Sequence, residues 1–351
     1  ARWKPANVRE APVMLRKYLQ QVVDGRNLSL QEMEQVFEIL TQSDVSCTQA
    51  GAILTAMRMK GQSVDELVGA AGMLRRRATF IDCGGRSAVD VVGTGGDGGI
   101  SFNISTTAAL VAAGAGVTIA KHGNRAVSGK CGAADVLAQL GFNLETSAAA
   151  MENCIRNHGI GFLFAPKMHP VMSNVAALRK ELGIRTLFNM LGPLCNPAGA
   201  EAIVLGVYDA GLTELFAEAL LKLGVKRAMV VHGEDGLDEI SCCAETRVTE
   251  LKDGVIQSYA LFPEMLLGQS YESDEISGGD APHNAAILRS ILEGQERGAP
   301  RAVVAINAAA AVYVAGLAPG LKEGLELALQ SIDSGKALEK LETLIQESHY
   351  E

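Results

Sequence analysis

The chain has 351 residues, 48% of them apolar and 20% charged, with a formal net charge of −9 and an isoelectric point near 5.3. This is the composition of an ordinary globular protein of roughly two domains, and it excludes an intrinsically disordered chain. The acidic balance and few aromatics speak against nucleic acid as the main partner, no apolar run is long enough for a membrane span, and the start, Ala1-Arg2-Trp3-Lys4-Pro5, lacks the apolar core of a signal peptide. The first eighty or so residues read as helices. Leu15, Leu19, Val22 and Val23 recur at helical spacing, and Ser29 with Glu32, then Ser63 with Glu66, have the form of capping boxes. Further helices are predicted over Thr48–Met59, after Ser46 or Cys47, and over Ser63–Arg77. From Ala88 the pattern changes to short apolar runs: Ala88–Val92, Gly116–Ala120, Gly161–Ala165, Glu201–Val207 and Arg227–His232. Helical patterns intervene at Ala134–Leu140 and Thr213–Leu223, and helices close the chain at Glu323–Leu329 and Ala337–Ile345. The alternation predicts an α/β fold with a sheet flanked by helices on both faces.

The first of those runs ends in Gly93-Thr94-Gly95-Gly96-Asp97-Gly98-Gly99, and between Asp97 and Asp135 there is no carboxylate. The same stretch holds Lys121, His122, Arg125 and Lys130. Bare glycines, short hydroxyls and cations together describe a cradle for one phosphorylated ligand. The loop satisfies Gly-x-Gly-x-x-Gly, but a dinucleotide site needs a helix opening on the loop and an acid about 20 residues onward. Here the helix starts near Ser105 and the acid position falls in Thr118–Lys121, so that reading fails. A Walker loop fails as well, because no Gly-Lys-Ser/Thr closes the run. Asn103, Ser105 and Thr106 are expected to cap a helix over Thr107–Ala115, whose free N–H groups would hold phosphate. The turn Lys121–Arg125, free of competing acids along the chain, is expected to clamp the same anion. The seven cysteines are odd in number and never spaced Cys-x-x-Cys, so reduced thiols, no zinc site and a cytoplasmic location are expected.

The segments Gly93–Gly98, Asn103–Thr106, Lys121–Arg125, Ala134–Leu137, Arg185–Pro197 and Asp235–Ser241, in this order, resemble those of the anthranilate phosphoribosyltransferases of tryptophan biosynthesis. The resemblance extends from Ala56–Glu66 to Ile306–Ala310. It implies a small helical domain (1–84, joined by a helical insertion at about 170–195) and a larger α/β domain (85–169 and 196–351) with a mostly parallel sheet. It implies transfer of the phosphoribosyl group of 5-phosphoribosyl 1-diphosphate to the amino group of anthranilate, the second step of tryptophan biosynthesis. The products are N-(5-phosphoribosyl)anthranilate and diphosphate.

By the same resemblance the donor meets Gly93, Gly96, Asp97, Ser101, Asn103, Ile104, Ser105, Thr106, Lys121, Asn124, Ser128, Gly129 and Ala133. Lys121, His122 and Arg125 would serve the chemistry, with His122 left between a proton-handling and a loop-ordering role. Anthranilate would meet Gly93, Asn124, His169, Arg179 and Pro193. The leaving diphosphate implies magnesium, a pair of ions with the donor bound, held by Ser105, Asp238 and Glu239. A homodimer through the helical domain is implied, with no nucleic-acid or membrane partner; association with anthranilate synthase stays open. Three positions depart from the family pattern: Ser101 stands for threonine, Gly129 for a second serine, and Ala133 for serine. A pyrimidine nucleoside phosphorylase, or a nucleic-acid-binding relative of the same fold, is the alternative.

Overall fold

The computed structural model describes residues 11–95, 101–126 and 129–350, with side chains from Leu15 onward. The chain divides into two compact units, one of residues up to Ala78 plus His169–Cys195, the other of Thr79–Met168 plus Asn196–Glu351.

The first unit is helical: Ala11–Val23, Leu30–Leu40, Cys47–Lys60 and Val64–Arg77, with Ala176–Leu182 and Phe188–Leu191 from the later segment. Both capping boxes form, Ser29 with Glu32 and Ser63 with Glu66, and Ser46 caps the third helix. Glu66 does more than cap. Fully buried, it accepts from the Leu28 N–H at 3.0 Å and from Lys60 Nζ at 2.9 Å, tying two helices and the segment that leads into Leu30–Leu40 at one carboxylate. Phe37, Met33, Ile53, Leu54, Met57, Leu67 and Met73 fill this unit's core.

In the second unit, seven strands among the described residues form one sheet: β1 Val89–Gly93, β2 Ile119–Gly123, β3 Ile160–Phe164, β4 Ala202–Gly206, β5 Arg227–Gly233, β6 Thr246–Lys252 and β7 Val255–Leu261. Their order is β3-β2-β1-β4-β5-β6-β7, parallel through β5 and antiparallel beyond. The expected α/β fold with a mostly parallel sheet is therefore correct. The β6–β7 hairpin was not foreseen, although Asp253-Gly254 marks it: both residues take positive φ (51° and 78°), as the favoured two-residue hairpin turn requires. The helix Ile104–Gly114 crosses from β1 to β2, and Thr213–Lys222 from β4 to β5. Because right-handed crossovers run in opposite directions along the sheet, these helices cover opposite faces. The buried, alanine-rich helix Ala299–Val314 packs against Ile104–Gly114 and against β4.

Two boundaries move relative to the sequence reading. Strand β2 begins three residues later than its apolar run, so Lys121 and His122 lie within the strand and not in a turn. The helix expected from Thr107 starts at Ile104. All seven cysteines are unbridged.

Candidate active site

The chain leaves β1 toward β2 and β3, and leaves β4 toward β5, so the strand order reverses between β1 and β4. At such a reversal the carboxyl ends of the strands open onto a crevice. Three segments converge there: the loop after β1, the end of β2 with the start of the Ile104 helix, and the loop after β5 that carries Asp238 and Glu239.

The two carboxylates are not a solvated acidic loop. Each residue is only 7% exposed. Asp238 Oδ2 accepts the Gly95 N–H at 2.8 Å, and Glu239 Oε1 accepts the Ser105 N–H at 3.1 Å. Glu239 thus sits at a helix N-terminus, where free N–H groups and the helix dipole favour negative charge. The loop is anchored from behind by Asn307, which accepts the Ile240 N–H at 2.9 Å and donates to the Ile240 carbonyl at 2.8 Å. It is seated by two glycines. A Cβ on Gly93 would lie 2.5 Å from Asp238 Oδ2, and one on Gly206 would overlap the Asp238 carbonyl itself. At Gly206 only glycine allows the approach, because the neighbour is backbone; at Gly93 the neighbour is the end of a side chain.

Lys121 is buried, and its ammonium donates to the Val91 carbonyl and, at 3.4 Å, to the Ser105 hydroxyl. Burial pulls its pKa below the ordinary lysine range, and the charges of Asp90 and Glu239 oppose that shift. Asp90 is fully buried, and burial pushes it up to about 6 against the pull of Lys121, Asn196 and the His122 N–H. His122 is likewise buried within β2.

Asn103, Ser105 and Thr106 do not cap the helix with their side chains, contrary to the expectation from sequence. Asn103 stands at the N-cap but makes no side-chain cap bond. Its amide bonds Asn284 Nδ2 (3.0 Å), the Cys131 thiol (3.3 Å) and the Cys131 carbonyl (3.2 Å), while Thr106 is buried and Ile104 lies in the core. The capping carboxylate comes from Glu239 instead. Ser101 pairs with Ser277 in an isolated antiparallel bridge.

The cationic turn is also not free of acids in space. Arg125 pairs with Asp135 at 2.7 Å, and the same carboxylate accepts the Ala126 and Gly132 N–H groups at 2.9 and 3.0 Å. Asp135 thereby closes the loop on which Asn124, Arg125 and Gly129 are exposed and Ala133 is half-buried. Gly96, Asp97 and Ser128 lie outside the described residues.

In the helical unit, Arg179 is half-buried on the helix Ala176–Leu182, its guanidinium 5.4 Å from the ring centroid of Phe188. Phe188 in turn packs at 5.2 Å against Phe37. Burial lowers the pKa of Arg179, and also that of His169, against hydrogen bonds that the imidazole makes to the backbone at Cys195 and Leu74. Pro193 is buried in the short 3-10 turn Gly192–Leu194.

Four residues of this framework were assigned no role from sequence: Asp90, Asn196, Gly206 and Asn307. Asp90 carries a legible signal, an acid inside an otherwise apolar strand. The others carry none without their long-range partners.

As to a metal, no group of three or more His, Cys, Asp or Glu among the described residues is placed to hold one. What the site offers is two carboxylates and a hydroxyl. That donor set suits magnesium, which takes a few hard oxygens from protein and completes its shell with water and substrate.

Comparison with known proteins gives the family. Residues 85–338 match the glycosyl transferase family a/b domain, and residues 16–78 match the helical bundle domain of the same family. The anthranilate phosphoribosyltransferase of Desulfosudis oleivorans is 51% identical over 333 residues, covering 95% of this chain and 98% of that one. The chain belongs to the anthranilate phosphoribosyltransferase family. It is therefore an enzyme of the pentosyltransferase class. The Alkaliphilus metalliredigens member is 46% identical over 332 residues, 95% of this chain and 98% of that one. Among solved structures, the anthranilate phosphoribosyltransferase of Thermus thermophilus superposes with a TM-score of 0.89 at 42% identity, covering 95% of this chain and 99% of that one. The Saccharomyces cerevisiae anthranilate phosphoribosyltransferase in complex with PRPP and Mg gives 0.87 at 29% identity, covering 97% and 98%. Among the described residues no helix is long and apolar enough to cross a membrane.

Proposed function

We propose that this chain performs its family's reaction with the residues assembled at the ends of β1, β2 and β5. The reaction is transfer of the phosphoribosyl group from 5-phosphoribosyl 1-diphosphate to the anthranilate amino group, a step of tryptophan biosynthesis. One observation carries the site assignment. A buried ammonium, a serine hydroxyl and a glutamate line up at one helix N-terminus, through Lys121 Nζ to Ser105 Oγ at 3.4 Å and the Ser105 N–H to Glu239 at 3.1 Å.

In this reading the diphosphate is bound by N–H groups of the glycine loop and by Lys121. Gly93, Gly96, Asp97, Ser101, Asn103, Ile104, Ser105, Thr106, Asn124, Ser128, Gly129 and Ala133 shape its surroundings. Ile104 contributes through its backbone, since its side chain is in the core. Arg125 acts indirectly, holding the loop through Asp135. Asp238, Glu239 and Ser105 would hold a pair of magnesium ions, which supply charge neutralisation to the leaving diphosphate. As that group departs, the ribose C1 develops oxocarbenium character, and catalysis consists of positioning and charge stabilisation. The arylamine carries its own lone pair, so His122 is assigned to ordering β2 and its loop.

Anthranilate is assigned to Gly93, Asn124, His169, Arg179 and Pro193, as the family resemblance implies. A guanidinium matches a carboxylate in bidentate geometry. Arg179→Ala is expected to raise KM for anthranilate by about tenfold or more, the worth of one charged hydrogen-bonded contact, with little change in KM for the donor. Steady-state kinetics with each substrate varied checks this, and an unchanged anthranilate KM overturns the assignment. A homodimer through the helical unit and a cytoplasmic location complete the proposal.

The decisive assay follows anthranilate fluorescence on adding 5-phosphoribosyl 1-diphosphate and magnesium. Loss of signal dependent on both is expected. A constant signal, with phosphorolysis of thymidine or uridine instead, would reverse the reading.

A further inference from the structure

Strands β1 and β2 are neighbours, yet they share a single register pair, Val89 with Ile119, whereas β1–β4 and β2–β3 share five each. In a parallel strand alternate residues turn their N–H and C=O to the same neighbour. The Val89 N–H bonds the Thr118 carbonyl and the Ile119 N–H bonds the Gly159 carbonyl. Val91 therefore faces β2, and Ala120 and His122 face β1. Beyond the first pair these groups have no ladder between them, and buried backbone groups must find partners elsewhere.

They find side chains. Asp90 Oδ1 accepts the His122 N–H at 3.1 Å. Asn196 Nδ2 donates to the Ala120 carbonyl at 2.8 Å and to Asp90 Oδ2 at 2.7 Å, while its Oδ1 accepts the Ala198 N–H at 2.9 Å. Lys121 Nζ donates to the Val91 carbonyl. Asp90 and Asn196 are 0% and 3% exposed. This polar bridge takes the place of the ladder at the Val91 and Ala120 carbonyls and the His122 N–H, and it stands between the carboxyl ends of the two strands.

We propose that Asp90 and Asn196 are positioning residues for the donor site: they stand in for the missing β1–β2 ladder and so hold the glycine loop after β1 at a set distance from Lys121 and Ser105. The inference rests on the functional reading above, since it takes the donor to bind across those two strand ends. Neither residue touches the donor in it.

The test is calorimetric titration of 5-phosphoribosyl 1-diphosphate with magnesium, without anthranilate, alongside steady-state kinetics. Asp90→Asn turns one acceptor into a donor facing either Asn196 or the His122 N–H. It is expected to weaken donor binding by about tenfold or more, the usual effect of removing an outer supporting partner, and to leave KM for anthranilate unchanged. Asn196→Ser, which deletes the bridge to Ala120 but keeps the carboxylate, carries the same prediction should Asp90→Asn not fold. A folded single variant with undiminished donor affinity, or a fall in kcat alone with both KM values unchanged, overturns the proposal. Failure of the unmutated protein to bind the donor would instead sink the functional reading itself.

Discussion

Replacing Asp238 by asparagine together with Glu239 by glutamine is expected to abolish magnesium-dependent transfer, by at least about a thousandfold in kcat/KM. The amides retain an acceptor oxygen each, so the bonds from the Gly95 and Ser105 N–H groups can persist. What disappears is two negative charges in a site whose residues are about nine-tenths buried. The variant should therefore fold with a Tm close to the parent and still fail to assemble donor and metal. Binding of Mn2+ in the presence of the donor, followed by electron paramagnetic resonance, gives a readout independent of turnover. Near-normal rates at saturating magnesium would show that the metal is held elsewhere.

Gly206→Ala should have the second largest effect, and through the backbone. A methyl at this position overlaps the carbonyl oxygen and carbon of Asp238, which have no rotamer to escape into. Either β4 or the Asp238 loop must move. Overpacking of this kind costs about 1–3 kcal/mol or more, and a shift near 1 Å at a positioned group costs about a hundredfold in rate. Gly93→Ala offers the contrast: there the methyl meets the carboxylate end of Asp238 at 2.5 Å, a group that can rotate aside. Gly93→Ala should keep most of the stability and lose activity, whereas Gly206→Ala should lose both. Thermal unfolding and kinetics of the two variants decide the matter, and equal Tm values would refute the distinction.

Local chemistry was readable directly. The two capping boxes, the Ser46 cap, the glycine run and the order of the motifs all depend on residues close together in the chain, and the structure contains each wherever it is described. The errors have a common origin. Lys121 and His122 read as a turn because charge ends an apolar run, and only the buried Asp90 and Asn196 make the strand tolerable to them. Asn103, Ser105 and Thr106 read as caps because nothing nearby competes for the helix N–H groups, and Glu239, 134 residues away, takes one of them. Arg125 read as an unopposed cation because Asp135 was counted as the end of the acid-free stretch and not as its partner. In each case a long-range electrostatic partner overrode a sound local preference.

By itself, then, the sequence determined the helical beginning, the alternating α/β body, the phosphate-cradling loop and, through the order of its motifs, the family. These follow from propensity, period and short-range hydrogen bonding. Only the tertiary structure decided which carboxylate answers which cation, where β1 and β2 part, and why Gly206 must be bare. Those depend on groups such as Asp90 and Asn196, 106 residues apart, brought into a buried space where each charge must find a partner.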